Sequence, residues 1–378
     1  MNPFDFVWLN PQQHVARRKP TPHNRFTDGV HGFIEGKITT LTPLFIPQAK
    51  SVYHQRQNRP NRPNRPNRPY RPSFAQSFIR NKQNQEIIPG SSLKGLIRSV
   101  VETIGPGCWR LFDGSYERQK VKYQYKLPNT YHTTNCRDKM CMACRLFGTA
   151  NNQNLLLGKV SIEDAVCDKS VLHPSIYTPV LSTPKPHHRA WYLTTDTDGQ
   201  EYVAGRKYFF HADTLQTERD FRVTRGGQPQ NQYIQPLDKD NTFTFSLQMT
   251  NLDPDEWAAL LYALVLERTG WGHDFDVRHK IGYAKPAGLG SIDLQVTKLT
   301  LIDYQKRYVS PNRGMEVYEG DNLQTYINHW ITPYLTNHSR THQDLRRIWG
   351  WPPADVAYHY PDQEWFGEHS QAPISQTP

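Results

Sequence analysis

IPGSSLKGLIRSVVETIG (residues 88–105) is the stretch on which the fold turns. Leu93, Leu96, Ile97, Val100, Val101 and Ile104 recur at helical spacing, which puts them on one face of a helix. Ser91 or Ser92 supplies an N-cap and Gly105 a stop, so a helix is predicted between them. Upstream, HGFIEGKITTLTPLFIP (31–47) is rich in β-branched and aromatic residues and partly alternates, the signature of a strand ending at Pro47.

Downstream, GKVSIEDAV (158–166) alternates as a second strand and FTFSLQM (243–249) as a third. Asp253-Pro254-Asp255-Glu256 is a capping box with proline at the first helical position; it opens a helix through Trp257, Leu260, Leu261, Leu264 and Val265. IDLQVTKLTLID (292–303) is a fourth strand, and 321–349 reads as two amphipathic helices broken near Pro333. The order β, α, β, β, α, β predicts an α+β fold, a ferredoxin-like or RRM-like βαββαβ core with three large insertions, one of them zinc-stabilised.

The expected organisation is an N-terminal arm and first strand (1–47), a basic loop insertion, disordered in part (48–87), the first core helix (88–105), a Cys/His insertion (106–157) and a core strand (158–166). A large insertion (167–240), the rest of the core (241–303) and C-terminal helices with a Pro-rich surface tail (304–378) complete it.

Aromatic residues make up 12% of the chain, which argues against wholesale disorder, and no run is apolar enough for a membrane span. The opening residues carry neither the basic nor the apolar region of a secretory signal, so a cytoplasmic protein is expected. The net charge of +10 is concentrated at one end: residues 1–90 hold fourteen Lys and Arg against four acids, while the remainder balances. Such asymmetry is the footprint of an anionic partner, nucleic acid first.

Four Asn-Arg-Pro units (58–69) place Arg59, Arg62, Arg65 and Arg68 at every third position, and Arg56 and Arg71 extend the period. In polyproline-II geometry they line one side at intervals of roughly 9 Å, which suits a polyanion; a solvated loop expansion fits the same residues. Tyr53, Tyr70, Phe74, Phe78, Tyr208 and Phe209 are aromatics able to stack on bases, or ordinary core residues.

Cys136, Cys141 and Cys144, with His132 four residues earlier, have the spacing of a structural zinc site, in which each sulfur lies about 2.3 Å from the metal. His132 is the expected fourth ligand and Cys108 its rival, while Cys167 reads as a core cysteine. Gly90-Ser91-Ser92 at a helix start, with Lys94 and Arg98 one turn apart, makes either a phosphate site or an ordinary capped helix. Gly282, Gly288 and Gly290, flanked by Lys280 and Lys285, form either a tight turn or a loop that approaches a ligand closely.

IPGSSLKGLIRSVVE (88–102), CMACRLFG (141–148) followed by GKVSIEDA (158–165), and KIGYAKPAGLGSI (280–292) occur here in the order seen in RAMP-superfamily backbone subunits of type III CRISPR complexes, and the chain resembles that family. PKPHHRAWYL and GRKYFFH resemble a branch with a large insertion.

The resemblance implies a subunit of a multi-subunit complex that binds CRISPR guide RNA and shapes it for pairing with target RNA. It also implies guide contacts by Gly90, Ser91, Ser92, Lys94 and Arg98, and by the loop of Lys280, Lys285, Gly288 and Gly290. Many such subunits carry an aspartate between the first strand and first helix that cleaves target RNA. Residues 37–90 contain no aspartate and Glu86 as their one acid, so a scaffold is expected rather than a nuclease. Asp28 and His54 are the weak catalytic candidates. The alternative is a metal-independent RAMP endoribonuclease that processes CRISPR transcripts or cleaves target RNA, with His31 or His54 as general base.

Overall fold

The computed structural model describes residues 1–22, 29–48, 74–109, 126–150, 155–181, 189–196, 198–223, 229–369 and 371–376. Asp28, His54, Tyr53, Tyr70 and the arginine repeat from Arg56 to Arg71 lie outside them.

One antiparallel sheet organises the chain. We number its strands in chain order: β1 (Val30–Thr40), β2 (Ile87–Ile88), β3 (Val160–Ile162), β4 (Ala165–Cys167), β5 (Thr242–Leu252), β6 (His279–Lys280), β7 (Ser291–Ile302) and β8 (Met315–Glu319). β1 lies between β7 and β5, β5 continues to β3 and β4, β2 closes that edge, and β6 and β8 both pair with β7. Helices packed with it include α1 (Gly90–Ile104), α2 (Met142–Phe147), α3 (Pro254–Val265), α4 (Gly320–Leu335) and α5 (Arg340–Trp349). Since α1 connects β1 to β3 and α3 connects β5 to β7, the βαββαβ frame closes with the strand order of the ferredoxin-like fold.

Period-two alternation sets which face is covered. Ile34 and Ile38 of β1 and Phe243, Leu247 and Met249 of β5 are buried beneath α1 and α3, whose apolar faces pack on each other. In β7 the register shifts between Val296 and Lys298, so Leu294 and Val296 before the bulge and Leu299 after it all reach the core. The other face carries Glu35, Lys37, Thr244 and Gln248 with the exposed Phe33. Among the described residues it shows no cluster of exposed aromatics like the platform on which RRM domains stack bases.

Several local expectations are corrected. The first strand ends at Thr40, and 41–46 pack irregularly beneath the 281–290 loop. α1 begins at Gly90 behind Pro89 without a serine cap; the Asp164 carboxylate accepts from Gly90 N at 2.8 Å instead. Turning Asp164 toward that helix splits the predicted second strand into β3 and β4. Pro333 lies in the last turn of α4, near the end of a helix that closes at Leu335, and the break before α5 falls after it. The capping box at Asp253 forms as expected, with Asp253 N donating to Glu256 Oε2 at 3.1 Å.

Within 167–240, Gly205–Phe209 pairs antiparallel with Phe4–Trp8 at the N-terminus. The C-terminal tail joins the same region: the Met1 ammonium donates to Ala357 O at 3.0 Å, and Trp365 and Phe366 pack on Trp191. No helix among the described residues is long and apolar enough to cross a membrane.

Candidate metal centre and basic cleft

The buried sulfurs of Cys108, Cys136, Cys141 and Cys144 lie within 4.8 Å of one another. Cys108 follows the end of α1, where Gly107 is held against Glu102: a β-carbon on it would stand 2.9 Å from the Glu102 Cα. Cys141 precedes the first turn of α2 and Cys144 lies within that turn, and Cys141 N donates to Cys136 Sγ at 3.5 Å. The separations of 3.4 Å between Cys108 and Cys144 and 3.8 Å between Cys108 and Cys141 approach the ~3.8 Å between sulfurs around one tetrahedral ion.

His132 is not part of this cluster. Its Nε2 donates to Leu127 O at 3.0 Å, and Cys108 supplies the fourth sulfur. The reason is topological: the end of α1 is brought against α2, whereas His132 sits between two short 3₁₀ turns with its ring held by the Leu127 carbonyl. Cys167 is buried in β4, apart from the four. The thiols share protons: hydrogen bonds from Cys108, Cys141 and Cys144 drive the Cys136 sulfur toward thiolate, while its bonds to Cys136, Cys141 and Cys144 hold Cys108 protonated. Four closely packed thiols, one already biased to thiolate, form a donor set for a soft tetrahedral cation such as zinc or iron.

Behind the cluster, Arg145 is buried and pairs with Glu256 at 3.0 Å and Asp255 at 3.0 Å, and Lys159 pairs with Glu256 at 2.7 Å. These ion pairs fasten α2, through Arg145, and the approach to β3, through Lys159, to the start of α3.

In front of it opens a cleft of about 1230 Å³. α1 contributes Ser92, Arg98 and Glu102, β6 and the loop after it contribute Lys280, Gly282, Tyr283 and Lys285, and the inserted strand contributes Arg206, Lys207 and Phe209. Five cations thus face one carboxylate. Glu102 holds two of them, Arg98 at 2.7 Å and Arg206 at 2.9 Å. Arg98 Nη2 also stands 3.7 Å from Cys144 Sγ, and Arg206 Nη2 donates to Cys108 O at 3.2 Å, so both guanidiniums reach back to the cysteine cluster. Burial lowers Lys207 to about 7 and, with Lys285 beside it, Lys280 to about 7; burial also depresses Lys285.

Of the residues expected to touch RNA, Ser92, Arg98, Lys280 and Lys285 meet in this cleft. Gly90 is buried against β3 and its N–H is taken by Asp164, Ser91 is exposed, and Lys94 turns away to donate to Val160 O at 2.8 Å. The loop glycines serve the fold: at φ near +90°, a β-carbon on Gly290 would stand 1.9 Å from Ile281 O and one on Gly288 2.9 Å from Thr214 O. Phe209 and the largely buried Tyr208 line the cleft, whereas Phe78 is buried and Phe74 exposed, neither of them lining it. His31 is buried at 3% exposure, its Nδ1 accepting from Asn251 N, and it does not line the cleft.

Arg206 and Lys207 escaped the sequence reading. Their signal is the run GRKYFF, a strand that lies along the cleft so that residues from both of its faces line it.

The family model of the RAMP superfamily matches residues 37–293, a span that runs from the end of β1 through α1, the cysteine cluster, α3 and the lysine loop. No curated protein matches the chain.

Proposed function

The chain belongs to the RAMP superfamily, and from that premise we propose that it is a guide-RNA-binding backbone subunit of a type III CRISPR effector complex, shaping the guide for pairing with target RNA. Membership points to a CRISPR-associated RNA-binding role. The observation that carries the reading further is the cleft, where Arg98, Arg206, Lys207, Lys280 and Lys285 converge from three separate parts of the chain on a space large enough for nucleotides.

A scaffold is favoured over a nuclease. Glu86, the one acid in residues 37–90, is buried and held by Arg80 at 2.6 Å, which leaves that loop without a carboxylate to act on RNA. The four cysteines would hold one zinc ion, whose role is structural: it would tie the end of α1 to α2 and so fix the wall that presents Arg98 and Arg206.

The test is a binding titration of the protein with repeat-derived guide RNA over a range of salt. Log affinity should fall linearly with log salt, and replacing Arg206 and Lys285 by Ala should weaken binding and flatten that slope. Binding that is independent of salt, or unaffected by the double replacement, would refute the assignment.

A further inference from the structure

Three of the five cleft cations have no carboxylate. Lys207 Nζ reaches the Tyr192 hydroxyl at 3.5 Å, Lys280 Nζ the Ser291 hydroxyl at 3.5 Å and Lys285 Nζ the Gly282 carbonyl at 2.9 Å, all neutral partners. Among the described residues no acid lies within ion-pair distance of any of them, and Glu102 is already shared by the two arginines. Lys280 is only 3% exposed yet lines the cavity. Lys207 and Lys285 stand 5.2 Å and 5.7 Å from the centre of one ring, Phe209. A buried ammonium without a counter-charge is costly, and three that line one cavity amount to a site lacking its anion.

We propose that this end of the cleft binds a nucleotide phosphomonoester, its phosphate held by Lys207, Lys280 and Lys285 and its base lodged against Phe209 and Tyr283. This deepens the RNA-binding reading and rests on it. An internal phosphodiester brings a single negative charge, whereas a terminal phosphate brings nearly two, the better match for three ammonium groups. Lysines present compact point charges that can gather around one phosphate from different elements, and aromatic walls accept any base by stacking. The space exceeds one nucleotide, so the ligand is either the phosphorylated end of an RNA strand or a free nucleotide of the same chemistry.

Fluorescence titration of the full chain with a short RNA bearing a 5′-phosphate, a 3′-phosphate or hydroxyl ends, alongside AMP and adenosine, separates these sources. One phosphorylated RNA should bind about tenfold tighter than the hydroxyl form, or AMP about tenfold tighter than adenosine. That ratio should collapse toward one in Lys207→Met and Lys280→Met. Equal affinities within both pairs would overturn the proposal even if RNA binds well, leaving the RNA-binding role standing. Lysine-dependent AMP binding without RNA binding would do the reverse. The wild-type comparison decides the matter should either variant fail to fold.

Discussion

Arg98 Nη2 stands 3.7 Å from Cys144 Sγ while the same side chain lines the basic cleft. The cysteine centre and the basic cleft are therefore adjacent layers of one structure. Glu102 completes the connection, one oxygen on Arg98 and the other on Arg206, whose guanidinium also donates to the Cys108 carbonyl.

Cys144→Ser should abolish stoichiometric zinc, measured by elemental mass spectrometry, and lower the melting temperature by about 5 °C or more, because metal binding and folding are linked. Wild-type protein free of metal, with a melting curve that the substitution leaves unchanged, would contradict the zinc centre.

Glu102→Ala leaves two mostly buried guanidiniums without their carboxylate and should cost about 3 kcal/mol, read from the denaturant midpoint. Glu102→Gln, which keeps the shape and a carbonyl acceptor, should cost less. Equal effects would mean that packing, not charge, is what Glu102 supplies.

Lys207 and Lys280 predict opposite pH trends for binding and stability. Burial brings both to about 7, against an ordinary value of 10.5. Below about 7 the folded chain must hold both charges. That penalty fades as pH rises from about 7 toward 10.5, where the unfolded chain holds more protons, so this contribution to stability rises with pH. The charged groups around them in the cleft are mostly cationic, Arg98, Arg206 and Lys285 against Glu102 as the one acid lining it; behind Lys280, burial keeps His211 and His279 neutral and Arg278 is paired with Asp276 and Asp293. Phosphate binding needs the ammonium forms, so RNA affinity at fixed ionic strength should fall several-fold from pH 6 to pH 8. A flat affinity profile would remove these lysines from the binding surface.

Gly290→Ala should destabilise by several kcal/mol, since its β-carbon would stand 1.9 Å from the Ile281 carbonyl oxygen at φ +88°. Gly288→Ala, at 2.9 Å from Thr214 O, should cost less, about 1–2 kcal/mol. Thermal melts of the two variants give the order, and the reverse order would contradict the loop geometry.

What was legible in the sequence was whatever local pattern dictates. The helical period from Leu93 to Ile104, the alternation in β5 and β7 and the capping box at Asp253 each place an element without long-range information, and together they yield the βαββαβ order. What was not legible depends on partners distant in sequence. Phe4–Trp8 becomes a strand because Gly205–Phe209 lies beside it, and nothing local in either segment announces the other. Spacing favoured His132 over Cys108 because it is nearer in sequence, but the packing of α1 against α2 decides which ligand arrives. Arg98 was found through its motif; Arg206 and Lys207 sit in an insertion whose fold is set by that pairing with the N-terminus.

The central claim is tested most directly by native mass spectrometry of the protein purified from its source without nuclease, with sequencing of any RNA it retains. The account predicts a multi-subunit particle that includes this chain and an RNA carrying CRISPR repeat sequence. A lone monomer free of RNA, or bound to RNA unrelated to any repeat, would contradict it.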